Sequence, residues 1–315
     1  MITDPLFLFG TVVMTVCLIT WIRFSISENA AEPFVIKYLS SISFISGIAV
    51  LLSIFYNSGD LGLVLLAGFI ISLIVLILGY YFGNAEIIST SRGYLIPIFI
   101  IFVLRTFLYE PYQIPSGSME PQLKKGDFLL VNKFAYGIKI NRIGTPKVFK
   151  NDPEYGDPVV IIPPHNPVPY IKRLIGKPGD VIRIINKKLY INGVALERVM
   201  VETENIVVKQ PYKYPDGTIV TKEIDAIGDL YIEKNGESEY EIRITRGRNN
   251  QYPQEWTVPE DHYFVMGDNR DNSNDSRRDV GFVPRENFFG RADYIWMTWE
   301  CWTCMPSFEK AGKIN

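Results

Sequence analysis

Hydrophobic positions along the chain follow two regimes that meet near residue 109. Upstream they form long unbroken runs; downstream they alternate in short segments cut by Pro, Gly and charge. A helix needs roughly 20 mostly apolar residues to cross a bilayer. Four stretches meet or approach that length, at about 5–22, 38–57, 61–82 and 93–108. The second and third carry no charged residue and are separated by the turn-like Asn57-Ser58-Gly59-Asp60. The fourth contains Pro97 and ends near Arg105, a side chain long enough to snorkel to an interface. Asp4 stands where a secretory signal has basic residues, and further spans follow, so the first stretch is expected to be retained.

Arg23 and Lys37 flank the first loop and Arg92 precedes the fourth span, whereas Asn57–Asp60 and the N-terminus lack Lys and Arg. The positive-inside rule then places the N-terminus outside and, after four crossings, residue 110 onward outside as well. Three spans starting from an inside N-terminus deliver the same final side.

Beyond residue 126 the apolar runs at 127–131, 158–162, 170–175, 181–185 and 240–245 have the length and alternation of strands. Asn192-Gly193, between Leu189-Tyr190-Ile191 and Val194-Ala195-Leu196, is a two-residue hairpin signal, and Asp216-Gly217 behaves similarly. No long segment of helical period, internal repeat or low-complexity tract interrupts this pattern. The expected architecture is therefore a membrane domain of transmembrane α-helices over 1–109, then a mainly β domain of antiparallel sheets over 110–315. Within the latter, about 134–155 reads as an extended excursion and about 186–258 as an inserted second β region.

Composition narrows the picture. A net charge of −2 offers no basic field for nucleic acid. Three cysteines cannot frame a disulfide scaffold, and with only His165 and His262 a four-ligand zinc site has little support. Cys301 and Cys304 read as a local disulfide or two free thiols. Trp296, Trp299 and Trp302 near the C-terminus suit either a lipid interface or core packing.

Candidate chemistry gathers in three segments. Ser118 lies in a Pro-bracketed loop, Lys172 on an apolar strand, and 267–277 is a polar loop rich in Asp, Asn and Ser. A serine hydroxyl attacks only when a base takes its proton, and lysine serves as that base only when burial lowers its pKa. Period 2 puts Lys172 on the face of Tyr170 and Leu174, which leaves open whether that face is core or solvent. A strand lysine is ordinarily a solvated surface charge, and spacing alone does not pair residues 118 and 172. A Ser-His-Asp arrangement through His262 with Asp268 or Asp271 also stays open. The 268–279 loop makes a poor calcium site, because Ser276 stands where an EF-hand needs Gly; a hydrogen-bonded turn is the simpler reading.

The segments Arg105-x-Phe107, Glu110-Pro111-Tyr112-Gln113-Ile114-Pro115-Ser116-Gly117-Ser118-Met119 and Gly126-Asp127 resemble bacterial type I signal peptidases of the Gram-negative kind. The resemblance continues in order through Phe134–Ile138, Gly156-Asp157-x-Val159, Tyr170–Arg173 with Gly176-x-Pro178-Gly179-Asp180, Met266–Arg277, Gly281–Pro284 and Gly290–Ala292. It implies a membrane-bound endopeptidase that removes signal peptides from exported preproteins, with Ser118 as nucleophile and Lys172 as general base. It further implies an oxyanion hole from Ser116 and the Ser118 N–H, and a Ser273 hydroxyl that orients the Lys172 amine. Asp275, Arg277 and Gly267 would support the loop behind it. Ile114, Met119, Leu123, Leu129, Val160, Tyr170 and Ile171 would line pockets for small residues at −1 and −3.

The resemblance implies no metal or cofactor. The expected partners are signal peptides and the lipid bilayer, the expected state a monomer, and the expected place the inner membrane with its catalytic part on the periplasmic side. Residues 1–90 gain no role from it, since the Gram-negative pattern has two spans. A tethered peptide-binding module and a self-cleaving regulator are the competing classes. The first is opposed by the presence of both Ser118 and Lys172, the second by the absence of any DNA-binding section.

Overall fold

The computed structural model describes residues 4–26, scattered positions between 38 and 53, and 61–137, 151–166, 168–213, 219–248, 255–301 and 303–314. The chain divides into two units, Met1–Thr106 and Phe107–Asn315.

The first unit contains α1 (Pro5–Ile26), α2 (Leu61–Tyr81) and α3 (Ala85–Val103). All three are long and apolar enough to cross a membrane. Of the expected span at 38–57, residues 40, 44, 48, 51, 52 and 54–57 lie outside the described residues, and the described positions are helical. The fourth expected span begins earlier than hydropathy suggested, at Ala85 instead of 93. Asn84 explains the difference: its side chain accepts hydrogen bonds from the Glu86 and Ile87 N–H groups, 3.0 Å each, and so caps the helix. The first turns of α3 are polar, which is why a search for apolar runs missed them. Arg92, on this polar part, hydrogen-bonds Tyr80 and lies 5.6 Å from its ring centroid, turned back toward the α2–α3 connection. Close packing joins the two helices, since a Cβ at Gly79 would sit 2.9 Å from the Ile87 side chain.

The second unit opens with β1 (Tyr109–Gln113), β2 (Asp127–Asn132), β3 (Pro158–Ile161) and β4 (Tyr170–Gly176). Next come β5 (Val181–Ile185), β6 (Lys188–Ile191), β7 (Val194–Ala195), β8 (Glu197–Lys213), β9 (Ile219–Asn235) and β10 (Ser238–Thr245). The last are β11 (Glu255–Thr257), β12 (His262–Met266), β13 (Val283–Pro284), β14 (Phe288–Thr298) and β15 (Gly312–Lys313).

Every described ladder is antiparallel. The main sheet runs β1-β2-β14-β3-β4-β12-β13, with β15 on β14. The strands β5 to β11 lie outside it, in the sheets β10-β9-β8 and β11-β5-β6-β7. The insertion is thus entered after β4, at 177–180, earlier than the expected 186. Asn192-Gly193 forms its hairpin turn, with both residues at positive φ, between β6 and β7. The Asp216-Gly217 turn and most of the 134–155 excursion lie outside the described residues.

Strand β2 shows why alternation was legible there: Asp127, Leu129 and Val131 are buried, while the residues between them are half-exposed. Strand β4 breaks that rule. From Lys172 to Gly176 it is buried at every position, because both of its faces are covered. One core cluster sets Ile114, Met119 and Leu123 against Leu129, Val131, Val160, Ala292 and the C-terminal Ile314. A second joins β4 and β12 to the inserted strands through Ile175, Phe264, Met266, Ile182, Tyr240 and Ile242.

Candidate active site

Residues 114–126 form a loop closed at its base. The Ile114 N–H donates to the Asp127 carbonyl at 2.8 Å, and the Gly126 N–H to the Ile114 carbonyl at 3.0 Å. Inside it, Gly117–Met119 makes one 3₁₀ turn, with Ser116 extended at its start and Met119 sunk in the core. That anchor leaves Ser118 at the surface of the turn, half-buried. The exposed Ser116 hydroxyl makes no capping bond to the turn.

Lys172 comes from β4, where it pairs with Val159 of β3. Its side chain is 3 % exposed, and Nζ lies 2.8 Å from Ser118 Oγ and 2.9 Å from the Ile171 carbonyl oxygen. The Tyr170 ring centroid is 5.4 Å away. Among the described residues no carboxylate reaches ion-pair distance of this amine. Burial therefore dominates and lowers its pKa to about 8, opposed by Asp275 and Asp268 and assisted by Arg277. The open question of which face Lys172 occupies is answered by β4 being covered on both.

The 267–277 loop stands behind the pair. Asp275 accepts from the Gly267 N–H at 2.9 Å and from Arg277 Nε and Nη2 at 2.9 and 2.7 Å. Burial works against its charge, but Arg277 and the Gly267 N–H outweigh burial and hold the carboxyl below the usual range. Arg277 also donates to the Arg270 carbonyl at 2.7 Å. Gly267 leaves no room for a side chain: a Cβ there would meet Ser273 Oγ at 2.3 Å and the Ser118 carbonyl oxygen at 2.4 Å.

One expectation needs correction. The Ser273 hydroxyl makes no hydrogen bond, to Lys172 or to any other described residue. It lies against the Cα of Gly267, and the amine meets the Ile171 carbonyl instead. The expected pocket residues also divide. Ile114, Met119, Leu123, Leu129 and Val160 pack into one closed cluster beneath the loop, with Ile171 partly buried against it. Tyr170 belongs to a neighbouring cluster around Val159 and Phe288. Only Ile171 and Tyr170 keep appreciable exposure. His262 is occupied elsewhere, its Nδ1 2.8 Å from the Glu260 carbonyl oxygen.

Sequence reasoning gave no role to Asn269, whose N–H donates to the Ser118 carbonyl at 3.1 Å and whose Nδ2 donates to the Gly117 carbonyl at 3.0 Å. It also passed over the Arg173–Asp268 pair, held by bonds of 3.2 and 2.7 Å with both side chains sealed from solvent. Both lie inside the motif segments, but nothing in spacing distinguishes a bracing residue from its neighbours. Cys301 and Cys304 form a disulfide, with Cα atoms 5.1 Å apart.

With this geometry in place, comparison with known proteins is direct. The signal peptidase family, peptidase S26, matches residues 65–299. A signal peptidase I from Pseudomonas aeruginosa is 41% identical over 243 residues, 73% of this chain and 80% of that one. One from Pseudomonas fluorescens is 42% identical over the same shares. A signal peptidase I of known structure from Enterococcus faecalis is 26% identical over 45% of this chain and 97% of that one. Its TM-score of 0.25 is too low to carry structural detail across. The chain is thus a peptidase, an enzyme carried on apolar N-terminal helices. It belongs to the signal peptidase family, peptidase S26.

Proposed function

We propose that this chain is a membrane-bound endopeptidase that cuts signal peptides from exported preproteins through a Ser118–Lys172 dyad. The observation that carries the reading is the 2.8 Å contact between the Ser118 hydroxyl and a buried amine with a pKa lowered to about 8. In its neutral form Lys172 accepts the Ser118 proton as Oγ attacks the scissile carbonyl, and the Ile171 carbonyl holds the amine in place. The oxyanion is stabilised by the Ser118 N–H and the Ser116 hydroxyl, which is free of a capping bond. Lys172 returns the proton to the leaving amine, then activates the water that opens the acyl-enzyme. Asp275, Arg277 and Gly267 fix the wall behind the amine.

Small residues at −1 and −3 suit this site because the apolar cluster under the loop is buried, and of the expected lining only Ile171 and Tyr170 stay partly exposed. The substrate enters extended, as an added strand whose alternate side chains face the site. The charge pattern of the loops supports a catalytic unit on the periplasmic side of the inner membrane, with the bilayer delivering the substrate. The 1–109 segment acts as the anchor.

The test uses the detergent-solubilised full chain with a precursor bearing small residues at −1 and −3, the product mapped by mass. Cleavage after −1 by the wild type and none by Ser118→Ala is the expected result. Cleavage by Ser118→Ala would remove the nucleophile assignment, and binding without a product would favour a capture module.

A further inference from the structure

The inserted β region has no role in the chemistry described so far, yet one of its side chains reaches the nucleophile loop. Arg243, on β10, is 7 % exposed. Its Nη1 donates to Glu120 Oε2 and its Nε to Glu204 Oε1, each at 2.6 Å. Glu120 is two residues past Ser118, and its carboxylate folds back on the turn. A Cβ built on Gly117 would lie 2.8 Å from Glu120 Oε1. The Arg243 backbone reaches the same turn by a second route. Its N–H donates to the Asp268 carbonyl at 2.9 Å, its carbonyl accepts from the Arg270 N–H at 2.9 Å, and it bridges Asn269 in parallel. Asn269 in turn holds the Gly117 and Ser118 carbonyls.

We propose that Arg243 is a positioning residue for Ser118, through which the inserted β region clamps the nucleophile turn by the Glu120 carboxylate on one side and Asn269 on the other. Two carboxylates on different nitrogens of one guanidinium fix the turn more tightly than a point charge, because the planar fork dictates both directions at once. Glu204, on β8, braces the guanidinium from the inserted side, so the force on Glu120 is borne by that region and not by the loop itself. The Arg243 side chain bonds Glu120 and Glu204 and makes no hydrogen bond to Ser118 Oγ or Lys172 Nζ. The inference rests on Ser118 being the attacking residue.

The experiment compares the full-length chain carrying Arg243→Met, Arg243→Lys, Glu120→Gln and the Met/Gln double change in precursor cleavage, with kcat and KM separated. Thermal unfolding of each variant is followed in parallel. A displaced turn should lower kcat by roughly 10- to 100-fold with KM nearly unchanged, since ångström errors in attack geometry cost about that much. Arg243→Lys should recover only part of the loss, because an ammonium keeps the charge but not the two-directional fork. Because the two side chains act as one unit, the double variant should be no worse than the poorer single change, within about twofold. The pH midpoint of the rate should stay where Lys172 sets it. Losses confined to KM, losses that multiply in the double variant, or a rate that merely tracks the melting temperature without rescue by lysine would each overturn the proposal. Ser118→Ala in the same assay reports separately on the dyad: if it cleaves, that reading fails whatever Arg243 does.

Discussion

Lys172 and Arg173 are neighbours on one strand, both cationic residues and both sealed from water, and the protein treats them in opposite ways. Arg173 receives every partner a guanidinium can use. Asp268 meets it through two nitrogens, the Gly156 carbonyl accepts from Nη1 at 2.7 Å, Gln122 bonds Nη2, and the Tyr240 ring lies 4.1 Å from its centre. Lys172 receives a hydroxyl and a carbonyl but, among the described residues, no carboxylate. Burial stabilises nothing by itself: with a counter-charge it yields a permanent brace, and without one it yields an amine ready to lose its proton. Structure and reactivity are thus separated by the few ångströms between the two faces of β4.

The largest expected effect breaks the reactive side. Lys172→Met should reduce precursor cleavage by about 10⁴-fold or more, as measured in single turnovers, because a dyad loses its function as a unit. A residual rate near wild type would move the base elsewhere. Arg173→Met breaks the other side by stranding the buried Asp268 carboxylate. It should cost about 3–5 kcal/mol in denaturant unfolding, and an unchanged midpoint would show that Asp268 finds other partners.

Lys172→Met also tests the comparison through stability, with the opposite sign. Below about pH 8 the folded state carries the desolvation penalty in full, so the variant should be more stable than wild type by about 1–3 kcal/mol at pH 7. Between about 8 and the model-peptide value of 10.5 the unfolded chain binds more protons than the folded one, and wild-type stability rises. The advantage of the variant should therefore shrink across that window; a constant difference would mean that the amine is not desolvated.

The smallest effect concerns tuning. The rate should climb with pH through a midpoint near 8 as the amine becomes neutral. Asp275 raises that midpoint, so Asp275→Asn should move the limb downward in whatever activity survives. An upward shift would assign the limb to another group.

How much of this was legible before the structure depends on the residue. The antiparallel core and the Asn192-Gly193 hairpin followed from alternation and turn chemistry, which are local. The start of α3 did not, because Asn84 caps a polar first turn that no hydropathy search selects. Ser118 and Lys172 stood out only through a resemblance spread over several segments. Their meeting depends on the β3–β4 register and the closed base of the 114–126 loop, neither of which leaves a mark in spacing. Ser273 was placed by the motif alone, and its hydroxyl lies close to Gly267 without a hydrogen bond to any described residue. Arg243 and Glu120 were invisible, since two residues 123 positions apart meet only once the insertion folds against the loop.

Gly267 carries a consequence for anyone scanning the chain by mutation. The residue bears no functional group, yet the smallest substitution would press at once on the Ser118 carbonyl and on Ser273. A deep scan scored by secretion should place this achiral position among the least tolerant in the protein, alongside Ser118 and Lys172. Its intolerance would reflect occupied space, so chemical rescue should fail there even where it restores a missing amine.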